Sequence, residues 1–242
     1  MGCVAALAVA LAAGPAAAQE PSAVRILLDM KRTYGACLSY RDRGEVSVRG
    51  FVEGGSFGST VPFATAFVRG GAFRFQLIDR GLGERESRLV LWAFGDQVRA
   101  WWEAAGGERA VPSLQAGLEA AAGVSGGASL RVPGLLLPGE VRGGLFLSAP
   151  ERLPDQEERG VACYRLRGGG KPTPYPVATG SGTVTVEDEQ ITVWVDLARL
   201  VLRKVEETRT LSTYRTVTVT LYEPDMNVPI PAEDLAFGPE GQ

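Results

Sequence analysis

The stretch Phe67-Val68-Arg69-Gly70-Gly71-Ala72-Phe73-Arg74-Phe75-Gln76-Leu77 constrains the fold more than any other part of this chain. It reads as two strands meeting at a glycine pair, which supplies the positive φ that a tight hairpin turn needs. Side chains alternate across a strand, so Phe73, Phe75 and Leu77 share one face while Arg74 and Gln76 share the other. Before the turn, Val61, Phe63 and Phe67 also share a face, interrupted by Thr65. A hairpin so decorated either covers a core or floors a ligand-binding sheet.

The rest of the chain repeats the strand pattern. Pro21 to Tyr34 predicts an amphipathic helix with Val24, Leu27, Leu28 and Tyr34 on one stripe, ended by Gly35. Leu38 to Arg49 alternates as a long strand with one wet face, and Glu53 to Ser59 reads as a glycine-rich turn. Asp79 to Glu86 reads as a charged turn. Ser87 to Phe94 is apolar on both faces and turns at Gly95-Asp96 into Gln97 to Glu103. A strand of that kind is covered on both faces, or lines a cavity on one of them.

Glu108 to Pro138 breaks the alternation. Ser113 is a natural N-cap for a short helix bearing Leu114 and Leu118, with Gly123 as its stop. A second helical piece ends at Leu135-Leu136-Leu137. Short helices of this composition suit a mobile cover on a sheet, the alternative being a permanently packed connection. Strands resume at Leu145 to Leu147 and Val161 to Arg167; Gly168 to Glu189 reads as an exposed loop or weak hairpin. Ile191 to Asp196, Val201 to Thr208 and Thr213 to Tyr222 complete the strands, and the tail through Phe237 closes the domain. With no βαβ alternation, the chain predicts a mainly β (α+β) fold: a single strongly curved antiparallel sheet, a half-open barrel with short helices as a lid.

Val4 to Ala13 is an unbroken apolar run followed by Gly14-Pro15 and Ala16-Ala17-Ala18. This matches a secretory signal peptide cleaved after Ala18, with residues 19–242 as one domain released into the periplasm. Cys3 precedes the apolar run, whereas a lipidated cysteine would follow it. In an exported chain the remaining pair, Cys37 and Cys163, predicts a disulfide, the alternative being two buried thiols.

Chemistry is sparse. The chain has no histidine, which removes Ser-His and Cys-His catalysis and the commonest zinc ligand. Gly168-Gly169-Gly170-Lys171 lacks the upstream glycine of a phosphate loop and continues with Pro172. The acidic turns Glu187-Asp188-Glu189 and Asp155 with Glu157-Glu158 lack the alternation and glycine of a calcium loop. A net charge of −3 carries no basic footprint for nucleic acid. No catalytic residue, metal site or cofactor is assigned.

Phe67 to Phe75 resembles the strand, Arg-Pro, turn and Phe-x-aromatic segment of the periplasmic LolA-like lipoprotein carriers and the wider outer-membrane lipoprotein-sorting family. Leu89 to Phe94 with Gly95-Asp96 is similar to that family's apolar strand and Asp-Gly hairpin. Trp194-Val195-Asp196 with Leu202-Arg203-Lys204 is similar to its Trp-Ile-Asp and Arg-Lys hairpin, and Glu233 to Pro239 resembles its C-terminal ending. Gly70 stands where those proteins carry proline, and the Cys37/Cys163 pair and the Gly168 to Glu189 loop are additions. The resemblance implies a half-barrel holding acyl chains or other hydrophobic groups, with Arg69 as the latch of the lid and Phe73 and Phe75 in the cavity. Phe67, Leu77 and Leu91 join that expected ligand surface, roofed by Leu114 and Leu118. The expected function is a periplasmic carrier or binder of a lipid or acylated protein, monomeric, exchanging with a membrane-bound donor or acceptor protein. The alternative is a noncatalytic sensor or scaffold domain that binds a protein partner.

Overall fold

The computed structural model describes residues 20–79, 86–179 and 182–238. The expected signal peptide, most of the charged turn after Asp79, and the end of the C-terminal motif lie outside the described residues.

Helix α1 (Ala23–Ala36) starts at Ser22, whose hydroxyl accepts a hydrogen bond from the Arg25 amide at 3.3 Å. It buries Ala23, Ile26, Met30 and Tyr34. The stripe expected from the sequence is thus rotated: Val24 and Leu28 are exposed. Tyr34 sets the phase, because its hydroxyl reaches the Leu202 amide at 3.1 Å inside the core. The helix also runs through Gly35 to Ala36.

Strands β1 (Ser39–Val52) and β2 (Gly55–Val68) form a long hairpin paired from Ser39↔Val68 to Val52↔Gly55. The expected turn over Glu53 to Ser59 therefore shrinks to Glu53-Gly54, with Gly54 at φ +85°. Glycines in both strands make room: the Phe57 ring lies where a Gly50 side chain would be, and a Cβ at Gly58 would stand 2.6 Å from the Val48 carbonyl oxygen. Strand β3 (Ala72–Asp79) follows the turn at Gly70, whose φ is +69°. The register places Phe67 opposite Phe73, Thr65 opposite Phe75 and Phe63 opposite Leu77. The anticipated aromatic face is thereby formed.

Strands β4 (Ser87–Phe94), β5 (Gln97–Trp102) and β6 (Gly107–Arg109) extend the sheet to one edge. Helices α2 (Leu114–Ala122) and α3 (Ala128–Leu136) then cross the inner face. Ser113 caps α2, accepting from the Ala116 amide at 3.2 Å.

The second half returns as β7 (Ser148–Glu158), β8 (Val161–Gly169), β9 (Tyr175–Thr179), β10 (Gly182–Asp196), β11 (Leu202–Leu211), β12 (Arg215–Tyr222) and β13 (Asp225–Met226). One turn of helix, α4 (Ala232–Leu235), precedes the tail. Strand β7 escaped the sequence pattern, and Leu145 to Leu147 lies just before it. It carries Pro150 and Pro154, is interrupted by two register shifts, and forms the other edge of the sheet, where missing donors and charges are tolerated. The segment expected as a loop or weak hairpin pairs as β9 with the first part of β10.

The order β6-β5-β4-β3-β2-β1-β12-β11-β10-β8-β7 joins both halves through β1 and β12, and every strand pairing among the described residues is antiparallel. Among the described residues the edge strands β6 and β7 do not pair, so the sheet is one curved antiparallel half-barrel with the helices on its concave side. The turn joining β10 to β11 follows from Asp196, whose Oδ1 accepts the amides of Ala198 and Arg199 while Oδ2 pairs with Arg203 at 2.9 Å.

The cysteines do not form the expected disulfide: both are free and buried. Cys37 follows α1 and its thiol donates to the Ser39 carbonyl; Cys163 lies in β8 and donates to the Val161 carbonyl. Burial first, and the Asp196 charge second, push the Cys163 thiol up to about 11.

Candidate functional site on the concave face

Cross-strand register builds the floor of the concave face in rows. Phe67, Phe73 and Ala93 form one row; Asp42, Thr65, Phe75 and Leu91 the next; Phe63, Leu77 and Leu89 a third. Phe63 stacks on Phe75 with centroids 6.0 Å apart and meets Tyr222 edge-on at 5.5 Å. Burial of these aromatic surfaces and their offset geometry are the main favourable terms.

Phe67, Phe73, Phe75, Leu77, Leu91 and Leu118 all lie in this buried cluster, and Leu114 packs against it partly exposed. The lid rests directly on the floor. A Cβ added to Gly117 of α2 would stand 2.9 Å from a Leu91 methyl, so glycine is what allows the helix to come this close.

Two arginines tie the lid down. Arg69, at the corner between β2 and β3, donates through Nε to the Cys37 carbonyl at 2.7 Å. Its Nη2 donates to the Tyr34 carbonyl at 3.1 Å and the Leu136 carbonyl at 3.2 Å. It therefore joins the C-terminal ends of α1 and α3, where helix carbonyls lack intrahelical partners and favour a cation. Leu136 falls within the lid segment to which the sequence resemblance assigned this arginine.

The second tie was not anticipated. Arg131 projects from α3 onto the sheet, with Nη2 2.6 Å from Glu207 Oε2 and Nη1 2.9 Å from Thr220 Oγ1. Both charged side chains are 7% exposed. Burial works against the Arg131 charge, but the Glu207 carboxylate, with Tyr222 beside it, more than offsets this and leaves the guanidinium pKa raised. The network continues from Glu207 to Arg209 at 2.7 Å and from Arg209 to Glu189 at 2.7 Å. Tyr175 of β9 donates to Glu189 at 2.8 Å, so the additional hairpin is wired to the lid through the sheet. An arginine inside an apolar helix was the available signal; its partner, 76 residues away, was not.

Asp42 is a third polar feature of the floor. Its oxygens accept from the Tyr40 hydroxyl at 2.7 Å and the Thr65 amide at 2.9 Å. Burial raises its pKa to about 6 despite these bonds. The acidic turns noted in the sequence go elsewhere: Glu189 into the network above, Asp155 onto Arg152, and Glu158 to within 3.6 Å of Lys204.

No protein-family model matches the chain, and no curated protein matches it. Solved structures similar to it include LprF from Mycobacterium bovis, with a TM-score of 0.45, 10% identity, and coverage of 86% of this chain and 94% of that one. The lipoprotein LppX from Mycobacterium tuberculosis aligns with a TM-score of 0.38 and 12% identity over 86% of this chain and 94% of its own. A LolA superfamily protein from Nitrosomonas europaea aligns with a TM-score of 0.31 and 12% identity over 90% of this chain and 98% of its own.

Proposed function

We propose that this chain is a noncatalytic, exported binding protein that carries a lipidic ligand, its acyl chain taken up between the concave sheet and the lid. The observation that carries this reading is the construction of the lid. Short helices cover a continuous aromatic floor, and polar latches at Arg69 and Arg131 hold them there. In the closed form described, Phe73 and Phe75 are buried beneath the helices, so entry of a ligand requires α2 and α3 to lift. An acyl chain gains about 0.8 kcal/mol per buried methylene, so about ten methylenes offset several kcal/mol of lost lid contacts. The apolar run Val4 to Ala13 and the small residues after it support export to the periplasm.

The test is displacement of a fluorescent fatty-acid probe from the purified protein, with circular dichroism to verify the fold. Saturable binding that rises with chain length and depends little on salt is expected. Phe73→Glu places a carboxylate on the apolar floor and should abolish binding in protein that remains folded. Absence of saturable probe binding, or equal binding by folded Phe73→Glu, would overturn the reading in favour of a scaffold that binds a protein partner.

A further inference from the structure

The outer face of the same sheet carries a second feature, a polar cleft. On β1, Arg41 and Arg43 point outward; the register sets Ala66 beside Arg41 and Ala64 beside Arg43. Across β2, Ala66 faces Arg74 and Ala64 faces Gln76. Two alanines between two arginine-bearing strands leave a hollow. The turn bearing Arg199, Arg203 at the start of β11, residues 223–225, and Asp234 of α4 wall it into a cleft of about 500 Å³. A second cleft of about 330 Å³ adjoins it, shares Arg43, Ala64, Arg74 and Asp234, and adds Arg88. The C-terminal segment is held as a wall by Trp92, whose indole donates to the Leu235 carbonyl at 2.7 Å, and by Phe237 beneath Arg99.

The charges are unevenly matched. Arg41 pairs with Asp225 at 3.2 Å and Arg203 with Asp196 at 2.9 Å, so these two are already neutralised. Glu223 is drawn to Arg159 at 3.1 Å. Arg74 has the neutral Gln76 amide oxygen for a partner, and its Nε is buried without a hydrogen bond. The exposed side chains of Arg43 and Arg199 make no hydrogen bond or ion pair among the described residues. Three guanidiniums thus face one hollow lined with alanine, with Asp234 as a nearby carboxylate.

We propose that this outer-face cleft binds a phosphate monoester, its phosphoryl oxygens taken by Arg43, Arg74 and Arg199. Guanidinium forks match phosphoryl oxygens in bidentate geometry, and a dianion suits several of them at once. The cleft exceeds the size of inorganic phosphate and leaves room for a small alcohol portion. Asp234 on its wall repels a second phosphoryl group, which selects a single phosphoryl group over a nucleic-acid backbone. Such a group reaches the cleft either on a soluble molecule or as the head group of a lipid at a membrane surface.

The experiment measures calorimetric binding of sn-glycerol 3-phosphate at low ionic strength and, in parallel, cosedimentation with phosphatidylcholine vesicles with and without phosphatidic acid. Arg43→Gln and Arg199→Gln are the test variants, since both side chains are exposed and their loss leaves the core intact. Arg49→Gln, on the same face of β1 outside the cleft, is the control. Saturable binding in either arm, weakened at least about tenfold by each test variant and unchanged by the control, supports the site. Binding of glycerol phosphate identifies a soluble ligand; binding confined to phosphatidic acid vesicles identifies a head group. No saturable binding in either arm, or equal weakening by Arg49→Gln, overturns the proposal. Fatty-acid probe binding to the concave face is read separately and does not bear on this outcome.

Discussion

Arg131 of the lid and Glu207 of the sheet meet at 2.6 Å in a site where each side chain is 7% exposed. A buried pair of this kind gains little over well-packed apolar groups, but removing Glu207 strands the Arg131 charge, at about 3–5 kcal/mol, whereas removing Arg131 leaves Glu207 paired with Arg209. Its value here is positional: it sets α3 at one height over β11 and β12.

Glu207→Met should therefore lower unfolding free energy by about 3–5 kcal/mol, Arg131→Met by less because Glu207 keeps Arg209, and the two substitutions combined should recover part of the Glu207→Met loss. Urea unfolding of the two single variants and the double variant gives the coupling. A Glu207→Met loss below about 1 kcal/mol would show that the pair is solvated.

Arg69→Leu removes three donors to helix-end carbonyls. Amide exchange should accelerate in α3 and in the last turn of α1, with little change in β10 and β11. Uniform acceleration over the whole sheet would mean that Arg69 acts on global stability and not as a latch.

Asp42 has a folded pKa of about 6 against an ordinary 3.8. Because the folded value is raised, its contribution is fully present below about pH 4 and is lost as pH rises through about 6. The loss is roughly 3 kcal/mol by pH 7. Tyr34 and Tyr222 face the carboxylate, and Tyr40 bonds to it. Asp42→Asn keeps an acceptor for the Thr65 amide and should flatten this part of the pH dependence. Urea midpoints of both proteins from pH 4 to pH 8 check it; parallel curves would refute it.

The thiols of Cys37 and Cys163 should both be alkylated in denatured, unreduced protein and both be slow to react in native protein at pH 8. Burial and, for Cys163, a pKa of about 11 suppress the thiolate. Peptide mass spectrometry reads each site; a linked pair of peptides would restore the disulfide.

Local patterns determined much of this protein. Gly70 at a positive φ marks the hairpin, alternation assigns Phe73, Phe75 and Leu77 to one face, and Ser113 starts α2, because turn sterics, pleat and capping act within a few residues. The apolar outer face of β4 was likewise legible as a demand for cover, met by the C-terminal segment on Trp92. What covers it, however, is 143 residues away. Tertiary structure decided that choice, together with the phase of α1, the free state of Cys37 and Cys163, and the partnership of Arg131 with Glu207. It also gathered Arg43, Arg74 and Arg199 from separate strands and a turn around two alanines. These outcomes depend on which strands lie side by side, above all β1 against β12. Pleat and turn rules are silent on that pairing, because burial, charge and strand order settle it together over the whole chain.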